Sequence, residues 1–369
     1  MDFETRKVQK LGYSSVGISL PKQWAEASGL KPGSLVSLVK EDDGTLRVRA
    51  RPLEDPAPIS EATIDADAWP EPGSLGRVIT GNYVVGRNTI RVRSREELSA
   101  GQLQEVHEVV RGLTGLTIVN QGPKFITIEN FAEPTRFPID GLLRRLHYLT
   151  SRMEKLALGI LAGDARGNLE EVSRMEVEVD RLYWLVVRQL LLAAKSRAIA
   201  GKIGEVEPRH LLGDRVVTVV LENVADLWEE VASGTASLLD ASGEIPRPFA
   251  EAVGLVKADL ELLIDRAMSA FFASDLSKAD EALAMAVAIG ERLRQVERSI
   301  PAMRCERRAE FCSTCGLLRA VLRPIGHISK YYGTVAQITM NRSLEEPLPR
   351  PGAAASATGV AIRTVGSHP

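Results

Sequence analysis

A chain of 369 residues is too long for one small core, so two or more domains are expected. Hydrophobic residues at 44% and charged residues at 25% are ordinary for a globular protein, and a formal net charge of −2 excludes a polycation, so any nucleic-acid binding must come from a local patch. The sequence has no run of about 18 uncharged apolar residues, begins with the charged stretch MDFETRKVQK, and carries three cysteines, an odd number that does not suggest a disulfide scaffold; these features predict a cytoplasmic protein.

In residues 1–51 the pattern is β-β-α-β-β. Strands are expected over 4–10 and 16–20, joined by a turn at Gly12-Tyr13-Ser14-Ser15. A helix over 21–28 opens on Pro21, whose missing N–H costs nothing in a first turn, and stops at Gly29. Lys31-Pro32-Gly33 is a turn, and Asp43-Gly44 predicts a hairpin between strands Ser34–Lys40 and Thr45–Arg49. So few short elements bury little apolar area, and an intertwined dimer would supply the rest. The stretch KVQKLGYSSVGISLPKQWAEASGLKPGSLVSLVKEDDGTLRVR resembles the AbrB/MazE/SpoVT family of swapped-hairpin DNA-binding domains. The matching features are Leu20-Pro21-Lys22, the short helix, the Gly29–Gly33 turn and the last hairpin. The resemblance implies a homodimer whose basic β-surface contacts DNA. Nine basic against six acidic residues in this segment leave a modest positive excess, with Arg6, Lys7 and Lys10 on the first strand and Lys22 at the helix start as the expected phosphate contacts. The alternative is a module that only dimerises.

Residues 52–72, with five prolines and several acids, read as a linker holding one short strand at 60–64. Residues 73–135 form a small α/β segment: helix Leu75–Val85, strand Asn88–Arg93, helix Ser99–Gly112, then strands Leu116–Val119 and Phe125–Ile128 as a hairpin. The segment contains no glycine-rich phosphate loop and no nucleophile with a base, and His107 reads as a solvated or partly packed histidine. A spacer or docking module is the default reading.

From Pro138 to about Leu344 six helical patterns follow, over 138–162, 168–200, 207–240, 246–273, 277–304 and 312–344. Short breaks between them predict antiparallel hairpins. The patterns repeat as three plus three: with Met175 laid on Met285, the second helices align, and LENVADLWEEVASG aligns with IGHISKYYGTVAQI. The fold expected is multidomain and mainly α: a small β-rich swapped-hairpin domain (1–51), the small α/β segment, then two consecutive three-helix bundles (138–240 and 246–344), with a disordered tail at 345–369.

The first bundle carries two acidic doublets, Glu176/Asp180 and Glu222/Asp226, each placing like charges one helical turn apart. In the third helix Val217, Val220, Val224, Leu227 and Val231 form the apolar stripe, so Glu222, Asp226 and Glu229 are expected to point outward. With its paired three-helix units and E-x-x-x-D doublets, the body resembles PhoU proteins, which are associated with regulation of phosphate uptake. The resemblance implies that Glu176, Asp180, Glu222 and Asp226 can hold an iron or zinc cluster, and that a phosphate transporter or sensor kinase is a partner. A solvated acidic face is the other reading. In the second bundle the doublets align with Ala286, Gly290, Gly326 and Lys330, which cannot hold a hard cation. Of the five histidines, His107, His147, His210, His327 and His368, His210 alone follows a Glu (Glu207) by three, and one such pair falls short of the two a ferritin-like di-iron site needs. Cys305, Cys312 and Cys315, with His327, leave open a zinc site, a redox pair or ordinary thiols. No catalytic constellation is present, so a regulator rather than an enzyme is expected. A metal or partner on the body would alter the geometry of the N-terminal hairpins on DNA; the competing expectation is a protein-interaction adaptor.

Overall fold

A computed structural model describes residues 4–11, 13, 15–40, 44–50, 60–163, 167–204, 207, 209–302 and 311–345. The chain divides into two compact units, Met1–Ser60 and Glu61–Pro369.

In the first unit, β1 (Gln9–Leu11) pairs antiparallel with β2 (Ser15–Gly17), α1 spans Lys22–Ala27, and β3 (Ser37–Lys40) pairs antiparallel with β4 (Leu46–Arg49). The helix ends as expected: Gly29, at φ 69°, occupies the left-handed region that only glycine enters without strain, and the Leu30 N–H returns to the Ala25 carbonyl at 2.9 Å. The first strand is shorter than the predicted 4–10 and starts at Gln9, so Lys10 lies on it while Arg6 and Lys7 precede it. Asp43 lies outside the described residues, whereas Gly44 shows the φ of 82° that such a hairpin turn demands.

The second unit begins at Glu61, inside the stretch predicted as linker. There β5 (Glu61–Asp65) and a 3-10 turn (Ala66–Ala68) belong to the folded body. The α/β segment continues with α2 (Ser74–Val84), β6 (Thr89–Arg93), α3 (Ala100–Gly112), β7 (Leu116–Gly122) and β8 (Phe125–Asn130). The sheet order is β5-β6-β8-β7, with only β5 and β6 parallel because α2 crosses between them. A Ser99–Gln102 capping box starts α3. The core of this segment, formed by Ile64, Leu75, Ile79, Tyr83, Ile90, Val92, Val106, Ile126 and Ile128, also takes in Trp184 from the helical body.

That body comprises α4 (Ile139–Leu161), α5 (Gly167–Lys195), α6 (Arg197–Lys202), α7 (His210–Ser242), α8 (Arg247–Ala273), α9 (Leu276–Ser299) and α10 (Phe311–Glu345). Helices α4, α5 and α7 form one three-helix unit, and α8, α9 and α10 form the other. The pattern predicted as one helix over 168–200 breaks at Ser196, whose extended backbone and side chain cap α6. One apolar core runs through both units. Helices α7 and α10 join them along their length, tied by the Tyr331 hydroxyl donating to Asn223 Oδ1 at 3.2 Å and by Arg342 Nη2 donating to Asp214 Oδ1 at 2.6 Å. The expected tail lies outside the described residues beyond Glu345, as does Cys305; Cys315 is buried in the core.

The α/β segment is fastened to the first bundle by cations on α5. Arg188, 2% exposed, donates to the Tyr83 and Arg87 carbonyls and to Asn88 Oδ1, while Lys195 donates to the Val85 carbonyl. These acceptors cluster at the C-terminus of α2, the negative end of its dipole, where a cation is favoured.

Candidate functional site

The acidic cluster grows out of the α5–α7 packing. Buried Val172, Met175 and Val179 on α5 lie in one core with Val217, Val220 and Val224 on α7. The next positions on each helix flank that seam. On α5 these are Glu176 and Asp180, one turn apart and half-buried; on α7 they are Glu222 and Glu229, half-buried, and Asp226, exposed. The expectation that the carboxylates avoid the core holds, but they do not simply face water: three of the five are drawn together at the rim of the seam.

One oxygen from each of Glu176, Asp180 and Asp226 lies within 4.8 Å of the others. Glu222, the fourth predicted ligand, stands outside this group, and its Oε2 accepts from Asn223 Nδ2 at 3.0 Å. Glu229 was not among the predicted ligands. It is oriented by Ser173, whose hydroxyl donates to its Oε1 at 2.6 Å. Its place three residues after Asp226, on the same helix face, was the available signal.

The electrostatics follow from the crowding. Burial and then the charges of Asp180, Glu229, Asp226 and Glu222 push the Glu176 carboxyl up to about 7. Glu222 is likewise pushed to about 7 by burial and by Asp226 and Asp180, with Arg215 opposing. Asp180 and Asp226 are raised by burial first and neighbouring carboxylates second. Converging carboxylates that resist ionisation are relieved by a cation, which replaces the proton and cancels the repulsion. The donors are all carboxylate oxygens. They fit a hard cation such as iron better than zinc, which favours nitrogen and sulfur.

The corresponding place in the second bundle is closed by helix packing. The Ser329 hydroxyl donates to the Ala286 carbonyl at 3.2 Å, and a Cβ placed on Gly333 would come 3.3 Å from the Ala286 Cβ. Small residues on α9 and α10 thus bring the two helices together where the first bundle holds its carboxylates.

The predicted DNA-contacting cations sit in the first unit. Lys10 is exposed on β1, and Lys7 is exposed just before it. Arg6 bonds Glu4, and Lys22, 88% exposed at the start of α1, lies 3.8 Å from Glu26. In the same unit eight large apolar side chains, Val8, Leu11, Tyr13, Val16, Ile18, Leu35, Leu38 and Leu46, are each more than half exposed, and no described residue from Glu4 to Ala50 is buried.

Residues 9–56 match the family described as antidote-toxin recognition MazE, bacterial antitoxin. The structure of PhoU from Pseudomonas aeruginosa is similar to this chain, with 16% sequence identity and a TM-score of 0.49, covering 55% of this chain and 93% of that one. No curated protein matches. Among the described residues no helix is long and apolar enough to cross a membrane.

Proposed function

We propose that this protein is a dimeric DNA-binding regulator of phosphate homeostasis, acting in the cytoplasm, whose first helical bundle carries a metal-binding acidic face. The observation that carries the reading is the joining, in one chain, of a MazE-matched N-terminal segment to a bundle on which Glu176, Asp180 and Asp226 converge. Dimerisation is supported by the apolar exposure of the first unit. Hairpins of three and four residues per strand are marginal alone, and a second copy would cover their apolar side chains. DNA contact is supported by exposed Lys7 and Lys10 beside that surface. The phosphate assignment is supported by the E-x-x-x-D doublets on adjacent helices of a three-helix unit. Glu176, Asp180 and Asp226 would hold the cation, with Glu229 poised by Ser173 as a further donor. No catalysis is assigned to the site, because the exposed Asp226 leaves it open to water.

A second reading is favoured by one observation. Arg6 and Lys22, two of the four expected phosphate contacts, are already paired within the unit, to Glu4 and Glu26. If those pairs persist, the first unit is a dimer clip and the body an adaptor for a phosphate transporter or sensor kinase. A gel shift with genomic fragments over a salt series decides between the two. The regulator retains a preferred fragment whose affinity falls steeply with salt; the adaptor shows no preferred fragment at any salt.

A further inference from the structure

Glu154 of α4 is 3% exposed, and its Oε1 has no hydrogen-bond partner. It lies where α4 meets the second bundle. From α8 it is faced by Glu261 and Lys257, and on α4 by its neighbour Lys155. From α10 it is faced by Tyr332, fully buried, whose hydroxyl lies toward Thr150 without completing a hydrogen bond. Among the described residues no charged group of α5, α7 or α10 acts on it. Lys257, opposite it on α8, is also drawn to Glu261, 3.9 Å away. Further along the same seam Arg144 stacks over Phe272 at 4.0 Å, and His147 lies 6.4 Å from that ring with Asp265 nearby.

A carboxylate here would be a buried anion lacking a dedicated counter-ion and facing a second carboxylate across the seam. A carboxylic acid has neither problem. We propose that Glu154 is a proton-binding site at the junction of the two bundles: protonated, it lets α4, α8 and α10 close on a neutral interior, and ionised, it loosens the α4–α8 seam. No bond other than the O–H is made or broken, and the proton exchanges with water through the exposed Lys257–Glu261 edge of α8. The electrostatics agree in direction. Burial, and then Glu261, push this carboxyl up to about 8, against the weaker pull of Lys155 and Lys257. His147 on the same seam is pushed down to about 4, mainly by burial, so it stays neutral throughout the usual histidine range. Between pH 6.5 and 8, Glu154 is therefore the seam group that changes charge.

The folded state holds this proton more tightly than the unfolded chain does, so its contribution to stability is complete at low pH and is lost as pH rises toward about 8. Glu154→Gln mimics the neutral acid and removes the linkage while leaving the acidic cluster of the first bundle unchanged. Relative to Glu154→Gln, the folding constant of the wild-type full chain is expected to fall about fiftyfold between pH 6 and pH 8. Hydrogen exchange in the wild type, corrected for intrinsic rates, is expected to rise across 150–158 and 257–265 over the same interval. In a background whose cluster carboxyls are neutralised (Glu176→Gln, Asp180→Asn, Glu222→Gln, Asp226→Asn), difference infrared spectra are expected to lose a protonated-carboxyl band there, a readout that remains if Glu154→Gln folds poorly. Equal pH slopes in wild type and variant, or exchange and infrared signals that do not change between pH 6 and pH 9, would overturn the proposal.

Discussion

Replacing Arg188 by alanine tests how the α/β segment is held to the helical body. The guanidinium donates to the Tyr83 carbonyl, to the Arg87 carbonyl at 3.1 Å and to Asn88 Oδ1 at 2.9 Å, and lies 4.9 Å from the centre of the Tyr83 ring. Truncation strands those acceptors, each costing about 1–3 kcal/mol when buried without a partner, and leaves a cavity beside Trp184 and Tyr83. Burial itself opposes the charge and lowers the Arg188 pKa, so removing the arginine returns part of that cost. The net loss expected is about 3–5 kcal/mol, from the stranded acceptors and the cavity less the relieved burial of charge. Lysine supplies one point charge instead of a planar fork, so Arg188→Lys is expected to lose about 2 kcal/mol or more. Urea unfolding followed by tryptophan fluorescence reads the effect, because Trp184 sits at this contact. A loss under about 1 kcal/mol for the alanine variant, or a lysine variant as stable as wild type, would refute the docking role.

Other consequences follow from the same geometry. Asp214, 2% exposed, receives Arg342 at 2.6 Å across the α7–α10 interface, and Asp214→Ala is expected to cost about 3–5 kcal/mol in denaturant unfolding by leaving a largely buried guanidinium over Phe271. The metal-free protein is expected to melt lower at pH 8 than at pH 6. Glu176 and Glu222, raised to about 7, stabilise the fold while protonated and stop doing so as pH rises through that value. Asp226→Asn removes one repelling charge and is expected to shrink this drop in thermal melts; a melting temperature that rises with pH would contradict the electrostatic account. For DNA binding, Lys7→Ala and Lys10→Ala are each expected to reduce the slope of log affinity against log salt by about one, and unchanged slopes would remove those residues from the phosphate contacts.

The helical body was legible because its apolar stripes are long and its breaks are marked by glycine and polar clusters. The predicted and observed helices differ by a few residues at their ends, apart from the Ser196 interruption, where a local side-chain cap outweighs a continuous apolar pattern. That the second bundle lacks carboxylates at the corresponding positions could be read from Ala286, Gly290, Gly326 and Lys330. That helix packing closes the site, through Ser329 and Gly333, needed the structure. The α/β segment was read element by element, but its attachment was not. The signal was Arg188-Gln189 inside the apolar run LYWLVVRQLLLAA, a polar pair that must find partners when buried. Gln189 finds them at the Pro134 and Phe137 carbonyls, at 2.6 and 2.8 Å. Of the four residues expected to hold a metal, Glu176, Asp180 and Asp226 converge and Glu222 stands apart. Spacing along a helix says which carboxylates share a face, but not which of them meet across a helix pair. The first strand was predicted too long because ETRKVQK alternates well enough for a strand, yet its partner β2 is only three residues long and can pair no more of it.

The claim on which the account turns is that the first bundle, and not the second, holds a metal on Glu176, Asp180 and Asp226. Anomalous scattering from crystals of the full chain, purified without chelator, tests it most directly. The account predicts anomalous density bounded by those three carboxylates, lost in Asp226→Asn, with none beside Ala286 and Ser329. Anomalous density absent from the first bundle, or equal density in both, would contradict it and return the acidic doublets to a solvated face.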